Sequence, residues 1–315
     1  MKATTTNLGN LIEQVETMSA GNFDETVSLS EIEFSSLNEM WVSNVSVEVL
    51  PQAQRLLANR LHTPFSYLER CPAELQAENL NYWLEQERKE RESFFLRFNG
   101  QRQVRAAFTT RFEPIDNYEI LLKMLDLGFQ PEQEVMHRID DGMMVVKVPE
   151  YGRSFEVALK DTVVPGISFG NSEIGFLSFC IEFWALRLVC LNGLVAPVSV
   201  SQSRFKHVSR KAFEHLPETI RQVAESSNRQ QAQMVISVNT PVHNPIQAIE
   251  GFNKRFGLTL AEGEMVKASF GQEPGDDNMW KIIQAYTGSA RAAELTVEAA
   301  YRLERVGGQI LALVK

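Results

Sequence analysis

Residues 88–112 read RKERESFFLRFNGQRQVRAAFTTRF. Upstream, apolar residues recur at helical spacing. Within this stretch the period drops to two. Two strand-like runs, 94–98 and 104–109, flank Asn99-Gly100, which is a strong short-range hairpin signal. Arg97, Arg105 and Arg111 are expected to share the polar face of that hairpin, with Phe98 and Phe112 beside two of them.

Upstream of the hairpin, residues 51–61 and 72–91 carry helical patterns, the first broken by His62-Thr63-Pro64. Leu75, Leu80, Trp83 and Leu84 are expected on the apolar side of the second. Downstream, Asp116 is a candidate N-cap for a helix that Gly128 ends. Asp141-Gly142 then joins two more strand-like runs, and further strands are expected at 153–159, 163–169 and 176–190. The joins are too short for crossover helices, so the sheet should be antiparallel. After about residue 208 the pattern turns helical: a long polar helix over 213–238, one opened by Asn244-Pro245, one capped by Thr259 and Glu262, and two more through 313. The fold class is therefore α+β. A central antiparallel sheet with hairpins is flanked by helices and followed by a largely helical C-terminal region. The expected division is 1–50, an acidic and weakly structured N-terminal arm; 51–207, the α+β core; and 208–315, the helical region.

The 315 residues hold 31 Lys and Arg against 40 Asp and Glu, a formal charge of −9. With 44% hydrophobic and 23% charged residues, the composition is that of a globular chain and excludes collagen-like and wholly disordered ones. Charge is unevenly spread. Residues 1–50 carry one base and eight acids, 88–111 carry seven bases and two acids, and 202–229 carry six bases and three acids. Two basic islands thus sit in an acidic chain, and local patches rather than totals steer polyanions. The acidic first segment is placed to dock on a neighbour or to cover a basic groove. Three scattered cysteines form no disulfide framework, the start lacks a signal-peptide pattern, and Glu182 and Arg187 interrupt the longest apolar stretch. A soluble cytoplasmic protein without a membrane span is expected.

Catalytic signatures are thin. The five histidines show no HxH or HExxH spacing, there is no CxxC, and neither a P-loop nor a strand-linked GxGxxG is present. Cys190 and Ser172 lie outside known nucleophile motifs. The paired acids Asp140-Asp141 and Asp276-Asp277 stand in turn contexts. No catalytic residue, metal site or cofactor is expected. A metal-dependent nuclease using Glu113, Asp116 or Glu173 is the weakest alternative.

Arginines for phosphates beside aromatic rings for bases are the usual combination for sequence-tolerant single-strand binding. The candidate contacts are Arg97, Phe98, Arg102, Arg105, Arg111 and Phe112 in the hairpin, and Arg204, Lys206, Arg210 and Lys211 in the second island. The competing reading is a half-buried sheet with a phenylalanine core and internally paired charges. Asn171-Ser172-Glu173 and Asn192-Gly193 are expected to be tight turns bracketing an apolar strand.

Five segments occur in order: PFSYLERCPAELQAENLNYWL, FFLRFNGQRQVRAAFTTRFEPIDNYEIL, ISFGNSEIG, LRLVCLNGL and NMWKIIQAYTG. Together they resemble a family of phage- and plasmid-encoded proteins catalogued only as a domain of unknown function, over roughly residues 50 to 290. Thr109-Thr110 and Phe112 depart from its usual serine-bearing turn and tyrosine. The resemblance implies a mobile-element setting in bacteria or their viruses, and supplies no reaction. By fold-level analogy with strand-annealing proteins, the expected function is ATP-independent binding or annealing of single-stranded nucleic acid in recombination or replication by a homo-oligomer. The alternative is a non-catalytic interaction protein that binds a host or phage protein.

Overall fold

A computed structural model describes residues 3–188, 192–196, 204, 205, 207 and 211–314. The chain begins with β1 (Thr4–Asn7), α1 (Leu8–Ser19) and β2 (Phe23–Ser28), then a small meander of β3 (Ile32–Phe34), β4 (Glu39–Val42) and β5 (Val45–Glu48). Helices α2 (Pro51–Arg60), α3 (Phe65–Leu68) and α4 (Ala73–Glu87) lead into the hairpin β6 (Ser93–Phe98) and β7 (Val104–Thr109). After α5 (Asn117–Asp126) come β8 (Glu134–Ile139), β9 (Met144–Pro149), β10 (Phe155–Ala158), β11 (Asp161–Asn171), β12 (Phe179–Arg187), β13 (Asn192–Ala196) and β14 (Arg204–Phe205). The remainder is helical: α6 (Lys211–Glu214), α7 (Leu216–Val238), α8 (Pro245–Phe256), α9 (Leu260–Gln272), α10 (Met279–Ser289) and α11 (Val297–Leu311). This is the expected α+β class with a helical C-terminal region. No helix among the described residues is long and apolar enough to cross a membrane.

Every strand pairing within the sheets is antiparallel. The large sheet runs β1-β8-β9-β11-β12-β13, with β10 on β11 and β14 on β12. The small sheet runs β2-β6-β7, and the meander β3-β4-β5 stands apart. The large sheet buries Val146, Phe169, Ile181 and Phe183 in one core with α1, α5, α7, α10 and α11. The small sheet and the meander share a second core with α2 and α4, to which Phe94, Leu96 and Phe98 each contribute on the order of 1.5–3 kcal/mol by burial.

Residues 1–50 are not a weakly structured arm. Asn7 caps α1 by accepting from the Asn10 amide at 2.8 Å, and Leu8, Leu11 and Val15 fall on one buried helical face. β1 edges the large sheet, and β2 is the third strand of the hairpin's own sheet. The acidic residues lie on the outer positions of an ordered segment, and their density masked its thin apolar stripe. On α4, Leu80 and Leu84 are buried as expected, whereas Leu75 and Trp83 are exposed. Asn192-Gly193 is not a turn: both residues pair within β13, opposite Arg187 and Leu186.

The hairpin forms where expected, with a wider loop than the Asn-Gly pair suggests. Asn99 Oδ1 accepts from the amides of Gln101 and Gln103, and Arg102, not Gly100, takes the left-handed conformation (φ 60°). Gly100 is required for another reason. A Cβ there would lie 2.9 Å from the Ala20 carbonyl oxygen, so the loop can sit against residues 20–21 only without a side chain.

Candidate nucleic-acid interface

Arg97 and Arg105 of the hairpin face another protein layer rather than solvent. Arg97 sits opposite Ala106 on the side of the small sheet that meets the β11–β12 turn. Its guanidinium donates to Asp24 Oδ1 at 2.8 Å, to Asp116 Oδ1 at 2.6 Å and to the Glu173 carbonyl at 3.1 Å. Arg97 is only 4% exposed. Burial opposes its charge, but Asp116 and Asp24 outweigh that, so its hold on the proton is strengthened overall. Arg105 donates to Glu173 Oε2 at 2.8 Å. Neither arginine is presented to a phosphate in this fold. Alternation along the strand cannot distinguish a polar face that meets water from one that meets a second layer.

The Asn171-Ser172-Glu173 segment ties this junction together. A turn is present, with Gly175 at φ 89°, yet the three side chains do more than shape it. Asn171 donates to the Ile115 carbonyl and to Asn117 Oδ1, both at 2.9 Å. Ser172 Oγ donates to the Gly142 carbonyl at 2.6 Å. Glu173 Oε1 accepts from the Asn117 amide at 2.8 Å. Asp116 stands at the N-cap of α5 but makes no capping bond, because its carboxylate is turned to Arg97. Glu173 takes over that duty from the distant β11–β12 turn and also places negative charge at the helix N-terminus. The hairpin, α5 and the β8–β9 and β11–β12 turns are thereby fastened at one point. Asp116 and Glu173, two of the acids a metal-dependent nuclease would use, are committed to arginines here.

The other candidates are scattered. Phe98 is fully buried and stacks on Phe23 at 4.8 Å, so it is a core residue and not a platform for bases. Arg102 lies over the Phe23 and Phe98 rings at 5.6 and 5.8 Å, with Glu25 at 3.8 Å. Phe112 is half-buried; it stacks on Phe108 at 3.8 Å and lies 5.3 Å from the His207 ring. Protein aromatics therefore already occupy Phe112. Arg111 is exposed. In the second island, Arg204 opposes Cys180 in β14, and Lys211 opens α6. Lys206 and Arg210 lie outside the described residues.

The two basic islands adjoin. The Glu113 amide donates to the His207 carbonyl at 2.8 Å, and Phe112 stacks beside the His207 ring. Burial, followed by the nearby Arg97 charge, pushes His207 down to about 4, with Asp116 partly offsetting them. It is a neutral imidazole near pH 7.

Sequence reasoning missed Asp24, which neutralises Arg97. It belongs to the acidic segment, and that segment does cover the basic hairpin, as a paired strand with Asp24 opposite Arg97 in register. The acidic charge of residues 1–50 was the available signal; its partner was not. Comparison of the chain with protein-family models, with curated proteins and with solved structures found no match.

Proposed function

We propose that the protein binds single-stranded nucleic acid without consuming ATP, in the bacterial cytoplasm during recombination or replication of a phage or plasmid. The observation that carries this reading is the seam between the basic islands. The Glu113–His207 contact joins the end of the hairpin to the second island, and the exposed Arg111 stands beside that join. Arg111 and the bases of residues 204–211 are the phosphate contacts in this reading. Arg97 and Arg105 hold the seam in place through Asp24, Asp116 and Glu173. The motif resemblance supports the mobile-element setting. Annealing then needs no acid–base group. Extended strands held by neighbouring copies of the chain meet at raised effective concentration.

Fluorescence anisotropy with labelled single-stranded DNA and RNA at about 50 mM salt tests the reading, since phosphate contacts are strongest at low salt. Binding that weakens steeply as salt rises is the expected result. No binding at that salt overturns it.

One observation favours the alternative, a non-catalytic partner-binding protein. Tyr82 (60% exposed) and Trp83 form an edge-to-face pair on α4, and the exposed Leu75 lies two turns earlier on the same helix. Recovery of a host protein from nuclease-treated bacterial lysate, abolished by Tyr82→Ser with Trp83→Ser, is expected on this alternative. Recovery of nothing speaks against it.

A further inference from the structure

The face of the large sheet away from its main apolar core carries buried charged residues beside a smaller apolar cluster that includes Val145, Trp184 and Leu186. Lys147, Ser168 and Glu182 line up across β9, β11 and β12, with Arg138 and Trp184 on the same side. Helix α11 covers part of this face. Lys147 Nζ donates to Glu304 Oε1 at 2.6 Å, and Arg305 pairs with Glu182 at 2.9 Å. Where α11 leaves the sheet uncovered, a cavity of about 590 Å³ opens between the sheet, the end of α9 and α10. That volume is within the usual range for small-molecule sites.

Four bases and two acids line this cavity, in a chain whose overall charge is −9. Lys147 is matched by Glu304, and Arg187 by Asp161 and Glu273. Arg138 is not matched. It is 6% exposed, its Nε and Nη1 are buried without a hydrogen-bond partner, and no carboxylate among the described residues pairs with it. The indole N–H of Trp184, also at the cavity, is a second buried donor without a partner. Gly193 keeps the space open. A Cβ there would stand 2.9 Å from Trp184 Nε1, 3.2 Å from Glu304 Oε1 and 3.4 Å from Lys147 Nζ. Burial weakens the hold of Lys147 on its proton; Glu304 partly offsets this, and the Arg138 charge adds to it.

Buried donors left unpaired are costly, and a guanidinium fork matches two oxygens of one anion. We infer that this cavity binds the phosphate group of a small phosphate monoester, with Arg138 and the Trp184 indole N–H as donors. A monoester carries about −1.5 to −2 at neutral pH and offers three acceptor oxygens. The unmatched Arg138 guanidinium and the Trp184 indole N–H together offer more donors than the two oxygens of a carboxylate can take up. The site is separate from the Arg111 seam and does not depend on the nucleic-acid reading.

Titration calorimetry at fixed ionic strength tests the inference with inorganic phosphate, adenosine 5′-monophosphate and glucose 6-phosphate, with adenosine and acetate as controls. Saturable one-to-one binding of phosphate-bearing probes, absent for both controls and weakened at least tenfold in Arg138→Met, is expected. Whichever ester binds more tightly than inorganic phosphate identifies the class of ligand. No binding of any phosphate-bearing probe at millimolar concentration, or equal affinity in Arg138→Met, overturns the inference. Arg138→Met is expected to fold at least as stably as the parent, because it removes buried donors that have no partner; a lower urea midpoint shows a structural role for Arg138 and overturns the assignment. Oligonucleotide binding in Arg138→Met should be unchanged, so the two readings fail separately.

Discussion

The hairpin junction and the cavity on the large sheet both hold buried arginines, with opposite surroundings. Arg97 meets Asp24, Asp116 and the Glu173 carbonyl, whereas Arg138 meets no acceptor among the described residues. The two arginines inside the hairpin strands of the basic island, Arg97 and Arg105, are consumed in holding layers together. The arginine left without a partner comes from EVMHRI, a strand outside both islands. Density of charge along a chain is therefore a poor guide to where charge is available. What counts is whether the fold brings an acid to each base.

The sharpest way to break this comparison is Arg97→Met. It strands two carboxylates against each other at a buried junction. Breaking such a pair is expected to lower stability by about 3 kcal/mol, the low end of the usual range because Asp24 and Asp116 are partly solvated. Urea denaturation reads this as a lower midpoint at unchanged slope.

Acid should strain the same junction. Folding depresses His207 from 6.5 to about 4, so the unfolded chain takes up that proton first. The contribution is complete above about pH 6.5 and is lost as pH falls toward 4, by up to about 3 kcal/mol. Urea midpoints at pH 7 and pH 4.5 are expected to differ less in His207→Phe than in the parent. Equal drops would show that His207 is not the group responsible.

Glu173→Gln is a milder change. Its Oε1 can still accept from Asn117, but the charge opposite Arg105 is gone, and a loss of about 2 kcal/mol is expected by denaturation. Smallest for stability is Arg111→Ser, within about 0.5 kcal/mol of the parent, because the side chain is exposed. In the proposed function the same variant weakens oligonucleotide binding and lowers the salt slope by about one. A stable variant with unaltered binding removes Arg111 from the interface.

Much of the fold was legible because its signals are local. Asn99-Gly100 marks the hairpin, period-two runs mark β8 and β9, and the Thr259–Glu262 capping box sits at the start of α9 with both of its bonds formed. The first fifty residues were misread because α1 shows only three buried apolar positions amid polar ones, and β2 gains its stability from pairing with β6 far along the chain. The junction was half legible. Arg97, Arg105, Asp116 and Glu173 all drew attention as residues. Their mutual neutralisation depends on contacts 19 and 68 positions apart, which no local spacing encodes. The same holds for Trp83, whose exposure depends on which side of α4 meets the meander.

The contrast between Arg97 and Arg138 is tested most directly by urea unfolding of Arg97→Met and Arg138→Met side by side in phosphate-free buffer. The expected result is a loss of about 3 kcal/mol for the first and no loss, or a gain, for the second. A stable Arg97→Met together with a destabilised Arg138→Met would contradict the account at its centre.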